Sequence, residues 1–511
     1  MATVPHQPAL PYAVDTLLPL ERRIWCNRNL NLASIRAIGF DMDHTLALYR
    51  TDRFEGLVFS TAIERLIEQR LCPPTARRLR YDPHYTIRGL VVDKVRGNVF
   101  KMDRNNYVTT AFHGRRRLSL LERKELYRNQ RIDLDDPAFA STDTFFSLAD
   151  VALFGALVHL YVERGEGRDW GQLFDHIRQA VDGVHRDGPV KPQVLQVPQR
   201  FFRRDPRLPQ TLDQFRRSGK KLFLLTNSEA FYTDGVMGYL LNQRLPGYAN
   251  WRHYFDVVVT QAGKPNFFRS GSAMERAPQA PNSYFGGSMR QLEALLGCAG
   301  DSVLYFGDHT YGDILRSKKS GWRTAMIVIE LEKEIAVQRR YAAAARRARR
   351  LHQRRQGLEL RRAAFHARGT ANRSVKTKLR RLEQQCLLLR QQAESLEKKI
   401  YLAHNPYWGR LFKEFGALSR FGRQVKTFAC IYTSRVSNFL GYPPDHYFAA
   451  VEEWMPHEPA VQEAVELRTG STRKRKSVPS SPTTATVRPR GAAATRSGAS
   501  GSLPRQSVFP S

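Results

Sequence analysis

Two aspartates one residue apart, Asp41 and Asp43, close an apolar run of strand length in residues 35–46 (IRAIGFDMDHTL), and Thr45 follows them. A strand end has no structural need of two carboxylates, because unpaired buried charge is costly and Asn or Gly would turn the chain as well. Beside a divalent cation the pair has a use: one carboxylate coordinates the ion and attacks as a nucleophile, while the other donates and accepts a proton. As a bare pattern the pair also fits a turn or a helix cap, so its meaning depends on what the other strand ends carry.

Those ends carry matching chemistry. Residues 220–226 (KKLFLLT) finish on Thr226, Asn227 and Ser228, and residues 256–260 are followed by Lys264. Residues 302–306 run into Asp308 and then Asp313, and residues 324–329 form a fourth run. In phosphoryl transfer, Asp41 is the expected nucleophile and Asp43 the acid and base. The expected ligands of Mg²⁺, a hard ion that prefers oxygen, are Asp41, Asp43 through its backbone carbonyl, Asp308 and Asp313. Thr226, Asn227 and Ser228 are expected to bind phosphoryl oxygens, and Lys264 to offset the charge on nucleophile and phosphate. Each group also has a plain structural explanation: Thr226 to Ser228 as a helix cap, Lys264 as a solvated loop lysine, Asp308 and Asp313 as turn residues. Their shared placement at successive strand ends is much harder to explain that way.

The elements that must position these groups follow from the same spacing. Strands separated by helical stretches predict an α/β fold with a doubly wound parallel sheet, whose sites lie at the carboxyl ends of the strands. Residues 49–200 interrupt this pattern and are long enough for an inserted α+β cap. Short strands are expected at 88–92, 98–102 and 107–110, with turns at Gly97-Asn98 and Asn105-Asn106, and helices at 147–163 and 170–184. An insertion at this point is placed to cover the site. The expected division is an N-terminal segment and first strand at 1–48, cap at 49–200, core at 201–335, a basic helical segment at 336–400, a C-terminal helical element at 401–468 and a disordered tail at 469–511.

The chain of 511 residues carries a net charge of +33, but the charge is uneven. Residues 339–381 hold sixteen Lys or Arg against Glu359 alone, and residues 470–511 hold eight and no acid. The basicity therefore belongs mostly to an appendage and a tail, and nucleic acid is the partner these two segments would suit. From Val375, apolar residues alternate four and three apart to Ile400, which predicts a coiled-coil seam or a helical hairpin. The seam supports a homo-oligomer in the first case and packing onto the chain's own body in the second. Five scattered cysteines without a CxxC pair suit a reducing compartment. With no signal-like N-terminus and a longest apolar stretch (151–162) too short to span a bilayer, a cytoplasmic protein without membrane contact is expected.

The segments FDMDHTLALYR, LLTNSEAFYTD, AGKPNFF and YFGDHTYGDILRSKKSGWRT resemble the four motifs of the cytosolic purine 5′-nucleotidase family, within the haloacid dehalogenase-like superfamily. The similarity extends to IWCNRNLNLASIRAIGFDMD, RGLVVDKVRGNVFKMD, IRQAVDGVHRDGPVK and EEWMPHE, covering roughly residues 20–335 and 400–460. The resemblance implies a dehalogenase-like core with a helical C-terminal extension. It also implies a Mg²⁺-dependent hydrolase of nucleoside 5′-monophosphates that prefers 6-hydroxypurines and can pass the phosphoryl group to another nucleoside. Carried over by position, Phe139 would stack on the base, and Arg178, Asp182, His185 and Lys191 would contact substrate from the cap. One departure is Arg186, which stands where the family's purine enzymes have a tyrosine on the other side of the base. The open alternatives are a phosphatase of another small phosphomonoester and a nucleotide- or RNA-binding scaffold.

Overall fold

In a computed structural model that describes residues 18–458 apart from 129, 131, 187, 279, 368–372, 454 and 456, the run that ends on Asp41 becomes the strand Ala37–Phe40, buried at all four residues. It lies at the centre of a nine-stranded sheet ordered Trp25–Cys26, Ile431–Thr433, Arg323–Ile327, Val303–Gly307, Ala37–Phe40, Lys221–Leu225, Val257–Thr260, Ser283–Gly286 and Met274–Arg276. The two edge strands are antiparallel to their neighbours and the strands between them are parallel. Ile38 and Phe40 join one apolar cluster with Leu222, Leu224, Leu304 and Phe306, while Ala37 joins a second with Phe223, Leu225, Val303 and Tyr305. Both faces are thus covered, which is why these strands read as unbroken apolar runs. The expected α/β fold with a doubly wound parallel sheet is the fold the chain adopts.

The chain runs outward from Ala37–Phe40 through Lys221–Leu225, Val257–Thr260 and Ser283–Gly286, then returns to the other side for Val303–Gly307 and Arg323–Ile327. The order therefore reverses beside Ala37–Phe40, and open α/β sheets bind ligands beyond the carboxyl ends of the strands at such a point.

The inserted segment leaves and re-enters through a short antiparallel pair, Leu48–Tyr49 with Phe202–Arg203. Between them lies a five-stranded sheet ordered Arg116–Arg117, Val108–His113, Asn98–Met102, Leu90–Asp93 and Phe139–Thr142, together with the helices Thr51–Glu68, Leu148–Glu163, Trp170–Arg186 and Val190–Gln196. Gly97 and Asn106 take the left-handed backbone (φ 69° and 64°) that the expected turns require. Residues 145–163 depart from the expectation of a shorter apolar run: by length and hydropathy (1.8) they could cross a membrane. That helix is 78% buried inside the protein and packs against Thr51–Glu68 and Trp170–Arg186, so it serves as the core of the cap.

After the sheet, Ala342–Ala367 and Arg373–His404 form an antiparallel hairpin, crossed by His352–Glu397 (2.9 Å) and Arg362–Glu383 (3.9 Å). Leu379, Cys386, Ala393 and Ile400 are its buried seam. Of the two readings of the heptads, the hairpin is the one the chain adopts, and its own first helix occupies the seam. The element expected to be helical at 401–468 does more than pack on the core, because Ile431–Thr433 adds a strand to the central sheet. The described residues from 18 to 451 belong to one compact unit, and residues 452, 453, 455, 457 and 458 lie outside it. The expected tail lies outside the described residues.

Gly39 faces Phe223 across the sheet in register, and a Cβ at residue 39 would overlap the Phe223 ring. Gly39→Ala is expected to cost about 1–3 kcal/mol through overpacking and to lower the thermal midpoint in calorimetry. An unchanged midpoint would mean that the ring can move aside.

Candidate active site

Beyond Phe40 the backbone keeps one more sheet bond, from the Asp41 N–H to the Phe306 carbonyl (2.8 Å), and then folds back. The N–H groups of Thr45, Leu46 and Ala47 all reach the Met42 carbonyl, and His44 takes a left-handed backbone (φ 55°). The tight reversal turns the two carboxylates into different surroundings. Asp41 Oδ1 accepts from the Met42 N–H (2.8 Å) and pairs with Lys264 Nζ (3.0 Å). Asp43 instead accepts from two hydroxyls, Tyr49 (2.6 Å) and Ser228 (2.7 Å), and the Tyr49 hydroxyl in turn meets that of Tyr232 (2.9 Å).

Lys264 is clamped by its own backbone. Its N–H donates to Asn227 Oδ1 (2.7 Å), and its carbonyl accepts from Asn227 Nδ2 (2.9 Å). The ammonium then reaches Asp41, Asp313 Oδ1 (2.7 Å) and the Tyr305 hydroxyl (2.9 Å). Burial alone would lower its pKa, but the Asp313 and Asp41 carboxylates outweigh this and hold it well above the lysine range.

Asp308 follows the strand Val303–Gly307, and Asp313 lies in a single π-helical turn, Thr310–Leu315. Such turns recur at functional sites, where they re-aim side chains. The turn is anchored by His309, whose Nδ1 accepts from the N–H groups of Tyr311 (3.1 Å) and Gly312 (2.7 Å). Asp313 Oδ2 accepts from the His309 N–H (3.2 Å). Gly307 lets Asp313 come this close: a Cβ at residue 307 would lie 2.7 Å from Asp313 Oδ2.

Oxygen atoms of Asp41, Asp308 and Asp313 lie within 4.8 Å of one another, and all three residues are buried. Asp308 Oδ2 has no hydrogen-bond partner among the described residues. Burial raises the pKa of Asp41 and of Asp308 well above the carboxylate range, with Lys264 working against this at Asp41 and Arg88 at Asp308. Three buried carboxylates, with one Asp308 oxygen outside any hydrogen bond and 3.9 Å from Arg88, form a donor set that fits a hard divalent cation with all-oxygen ligation, beside the single Lys264 ammonium. The Asp43 carboxylate is not in this set; any share it has falls to its backbone carbonyl. Burial also raises the Asp43 pKa, and the hydroxyls of Tyr49 and Ser228 hold part of that rise back.

Of the groups expected to bind phosphate, Thr226 is fully buried and its Oγ1 accepts from the Ser228 N–H (3.1 Å). Ser228 Oγ is turned to Asp43, and the Asn227 side chain is committed to the Lys264 backbone. All three lie beside the carboxylates, where they brace Asp43 and Lys264.

From the cap, Lys191 reaches Glu229 (2.5 Å), the residue after Ser228. His185 is held to a pKa of about 4 by burial and by Lys191. Arg178 pairs with Asp150 (3.4 Å), Asp182 is exposed on the same helix, and Arg186 is exposed at its end. Phe139 lies elsewhere: it packs with Val91, Phe100 and Tyr127 inside the cap. The aromatic beside His185 is Phe146, with ring centroids 5.4 Å apart and perpendicular planes, and it also meets His44 at 5.3 Å. Phe139, expected to stack on the base, is therefore not the ring beside His185; Phe146 is.

Sequence reasoning missed three residues. Tyr49 closes the motif segment FDMDHTLALYR but carries no chemical signal of its own. His44 is fully buried and stacked between Tyr49 (4.5 Å) and Phe145 (4.4 Å). Arg88 donates Nη1 to the Asp308 carbonyl (2.7 Å) and Nε and Nη2 to Glu330 (2.8 and 2.7 Å). Its guanidinium lies between the rings of Phe145 (4.3 Å) and Phe421 (4.8 Å), with no solvent exposure of the side chain.

A model of the 5′ nucleotidase family matches residues 24–460. The chain is 29% identical over 472 residues to a 5′-nucleotidase domain-containing protein of Dictyostelium discoideum, covering 87% of this chain and 76% of that protein. It is 28% identical over 475 residues to 5′-nucleotidase domain-containing protein 2 of Rattus norvegicus, covering 88% and 82%. Among solved structures, a HAD phosphatase from Thermococcus onnurineus aligns at a TM-score of 0.25 and 14% identity, over 58% of this chain and 87% of that one.

Burial raises the Asp150 pKa to about 7, with Arg178 working against the rise and Asp182 adding to it. An acid whose pKa is raised by folding stabilises the folded state fully only below its unfolded pKa, and that stability is lost as the pH climbs to the folded value. Asp150→Asn, which resembles the protonated acid, is therefore expected to raise the thermal midpoint more at pH 8 than at pH 5, since pH 5 already lies inside the window between the unfolded and folded values. A midpoint lowered equally at both values would contradict this.

Proposed function

The chain belongs to the 5′ nucleotidase family and is a phosphoric monoester hydrolase, and from that premise we propose that it hydrolyses nucleoside 5′-monophosphates, purine ones foremost, with Mg²⁺ as cofactor and Asp41 as the phosphoryl acceptor. The observation that carries this reading is the separation of two carboxylates one residue apart: Asp41 sits in an ionic cluster with Lys264, Asp308 and Asp313, while Asp43 is held by hydroxyls.

The residues divide the reaction between them. Asp41 Oδ1 is engaged by the Met42 N–H and Lys264, which leaves Oδ2 to attack phosphorus. As the new bond forms, the bond from phosphorus to the ester oxygen breaks, and the leaving alkoxide takes its proton from Asp43. The Asp43 carboxylate then accepts a proton from water, the hydroxide adds to phosphorus, and the bond to Asp41 breaks to release phosphate. A nucleoside hydroxyl in place of water makes the same second step a phosphotransfer. Lys264 offsets charge on the acceptor carboxylate throughout. Asp41, Asp308 and Asp313 would hold Mg²⁺, with the Asp43 carbonyl beside them. When bound, it neutralises charge on the phosphoryl oxygens and the acceptor carboxylate.

Support for a nucleotide comes from the cap. Phe146 and His185 offer aromatic surface near Asp43, and Lys191 stands at the junction of cap and core. Arg178 and Asp182 line the same helix, and Arg186 at its end can stack a planar guanidinium on a base. The five free thiols suit a reducing, cytoplasmic setting.

The test is phosphate release from a panel of purine and pyrimidine 5′-monophosphates and sugar phosphates, with Mg²⁺ and with chelator. Inosine and guanosine monophosphates should lead the panel. Chelator should abolish turnover, and Asp41→Asn and Asp43→Asn should each lower kcat by about 10²-fold or more. Sugar phosphates leading the panel would replace the nucleotide reading. Wild-type rates in Asp41→Asn would remove the mechanism.

A further inference from the structure

The hairpin of Ala342–Ala367 and Arg373–His404 takes no part in the chemistry described above, and its charge is divided unevenly along it. Residues 382–404 carry three acids and three Lys or Arg, the mixture of an ordinary solvated face. Residues 342–367 carry eight arginines against Glu359 alone, and residues 373–381, at the start of the second helix, add five exposed Lys or Arg and no acid.

Two of the eight arginines are half-buried and paired, Arg355 with Glu359 (3.6 Å) and Arg362 with Glu383 (3.9 Å). The other six, Arg346, Arg347, Arg349, Arg350, Arg354 and Arg361, are exposed and have no carboxylate partner among the described residues. At 3.6 residues per turn, Arg346, Arg350, Arg354 and Arg361 fall within about 80° of one another, on a stripe about 22 Å long. Arg346, Arg350 and Arg354 stand four apart, where like charges destabilise a helix. A solvated face has no use for that arrangement, because Gln or Glu would hold an exposed helix as well.

The form of the face selects among polyanions. Binding to an anionic membrane takes an apolar face beside the basic one, and here the apolar stripe, Ala348 with Leu379, Cys386, Ala393 and Ile400, is spent on the seam. An acidic protein would need an apolar centre to its interface, and Leu360 is the one large apolar side chain this helix exposes among the described residues. A single strand would need rings on which to stack its bases, and Phe365, the helix's one Phe, Tyr or Trp, is half-buried. A duplex needs only its backbone met: each strand advances about 3.4 Å per phosphate, so the stripe spans about six of them. Duplex RNA in particular is bound through backbone and shape rather than base edges, and folded RNA is the duplex polyanion of the reducing, cytoplasmic setting that the free thiols suit.

We propose that the outer face of Ala342–Ala367 is a docking surface for double-stranded RNA, held through its phosphates. The surface stands independently of what the site hydrolyses.

The test is fluorescence anisotropy of the full-length protein with a labelled RNA duplex of about 20 base pairs, the scale of known duplex-binding modules, over a range of salt. The logarithm of the binding constant should fall against that of salt with a slope of about −4 or steeper, at about 0.9 for each phosphate neutralised. Arg346→Gln, Arg350→Gln, Arg354→Gln and Arg361→Gln combined should weaken binding about tenfold or more and make the slope shallower by about 3. The same loss of four charges in the tail, by Arg473→Gln, Lys474→Gln, Arg475→Gln and Lys476→Gln, should leave affinity near wild type. Both variants are checked for a wild-type thermal midpoint, and if the hairpin variant loses it, Arg350→Gln with Arg354→Gln decides on half the change in slope. The RNA duplex should be bound at least as tightly as a DNA duplex of the same sequence, and more tightly than either separated strand or anionic lipid vesicles. Equal weakening by the two variants would assign binding to net charge and overturn the surface. So would no binding at low salt, or tighter binding of DNA duplex, single strand or vesicle.

Discussion

One ammonium group, shared by two buried carboxylates, is the constraint on which the centre depends. Lys264 Nζ lies 3.0 Å from Asp41 and 2.7 Å from Asp313, and all three side chains are nearly out of water. Breaking such a pair by removing one partner typically costs about 3–5 kcal/mol, because the charge left behind is buried without compensation. The surrounding structure can be read as what keeps the ammonium in place. Asn227 clamps the Lys264 backbone, the Tyr305 hydroxyl takes one of its protons, and Gly307 leaves room for Asp313. Even so, three carboxylates exceed one lysine, and one Asp308 oxygen has no hydrogen bond among the described residues, with only the Arg88 guanidinium 3.9 Å away. A hard dication would balance that excess.

The same constraint explains how neighbouring aspartates acquire different surroundings. Both are at the end of one strand, yet the reversal through His44 turns Asp41 into the ionic cluster and Asp43 toward hydroxyls. A group that must give and take a proton is better placed among neutral donors than beside a fixed cation, which would hold it ionised. The cap is tied into this arrangement at several points. Tyr49 braces Asp43 at the point where the chain enters the cap, Lys191 meets Glu229 beside Ser228, and Arg88 holds the Asp308 carbonyl. Motion of the cap would thus be felt both by Asp43 and by the cluster of Asp41, Asp308 and Asp313.

The sheet and its acids were legible in the sequence because each acid interrupts an apolar run, and a charge at the end of a buried strand is conspicuous. Tyr49, His44 and Arg88 were not, since a tyrosine, a histidine or an arginine has many uses, and the partners of Arg88 lie far away in the chain. Arg88 and Asp308 are separated by 220 positions. Phe139 and Phe146 differ by seven residues, and only the fold reveals that the first sits on a strand facing the cap's own core while the second emerges beside His185. The strand Ile431–Thr433 is three residues long, too short for alternation to mark it among aromatic neighbours. The heptads after Val375 specified a partner helix but not whose, and Ala342–Ala367 of the same chain answers that.

The central claim is that Asp41, Asp308 and Asp313 form one ligand set for a divalent cation, balanced by Lys264. Its most direct test is a calorimetric titration of the metal-free protein with Mg²⁺, comparing wild type with Asp308→Asn at equal thermal stability. One saturable site per chain in wild type, lost or weakened at least tenfold in the variant, is the predicted result. Equal binding by the two proteins, or none by either, would contradict the account.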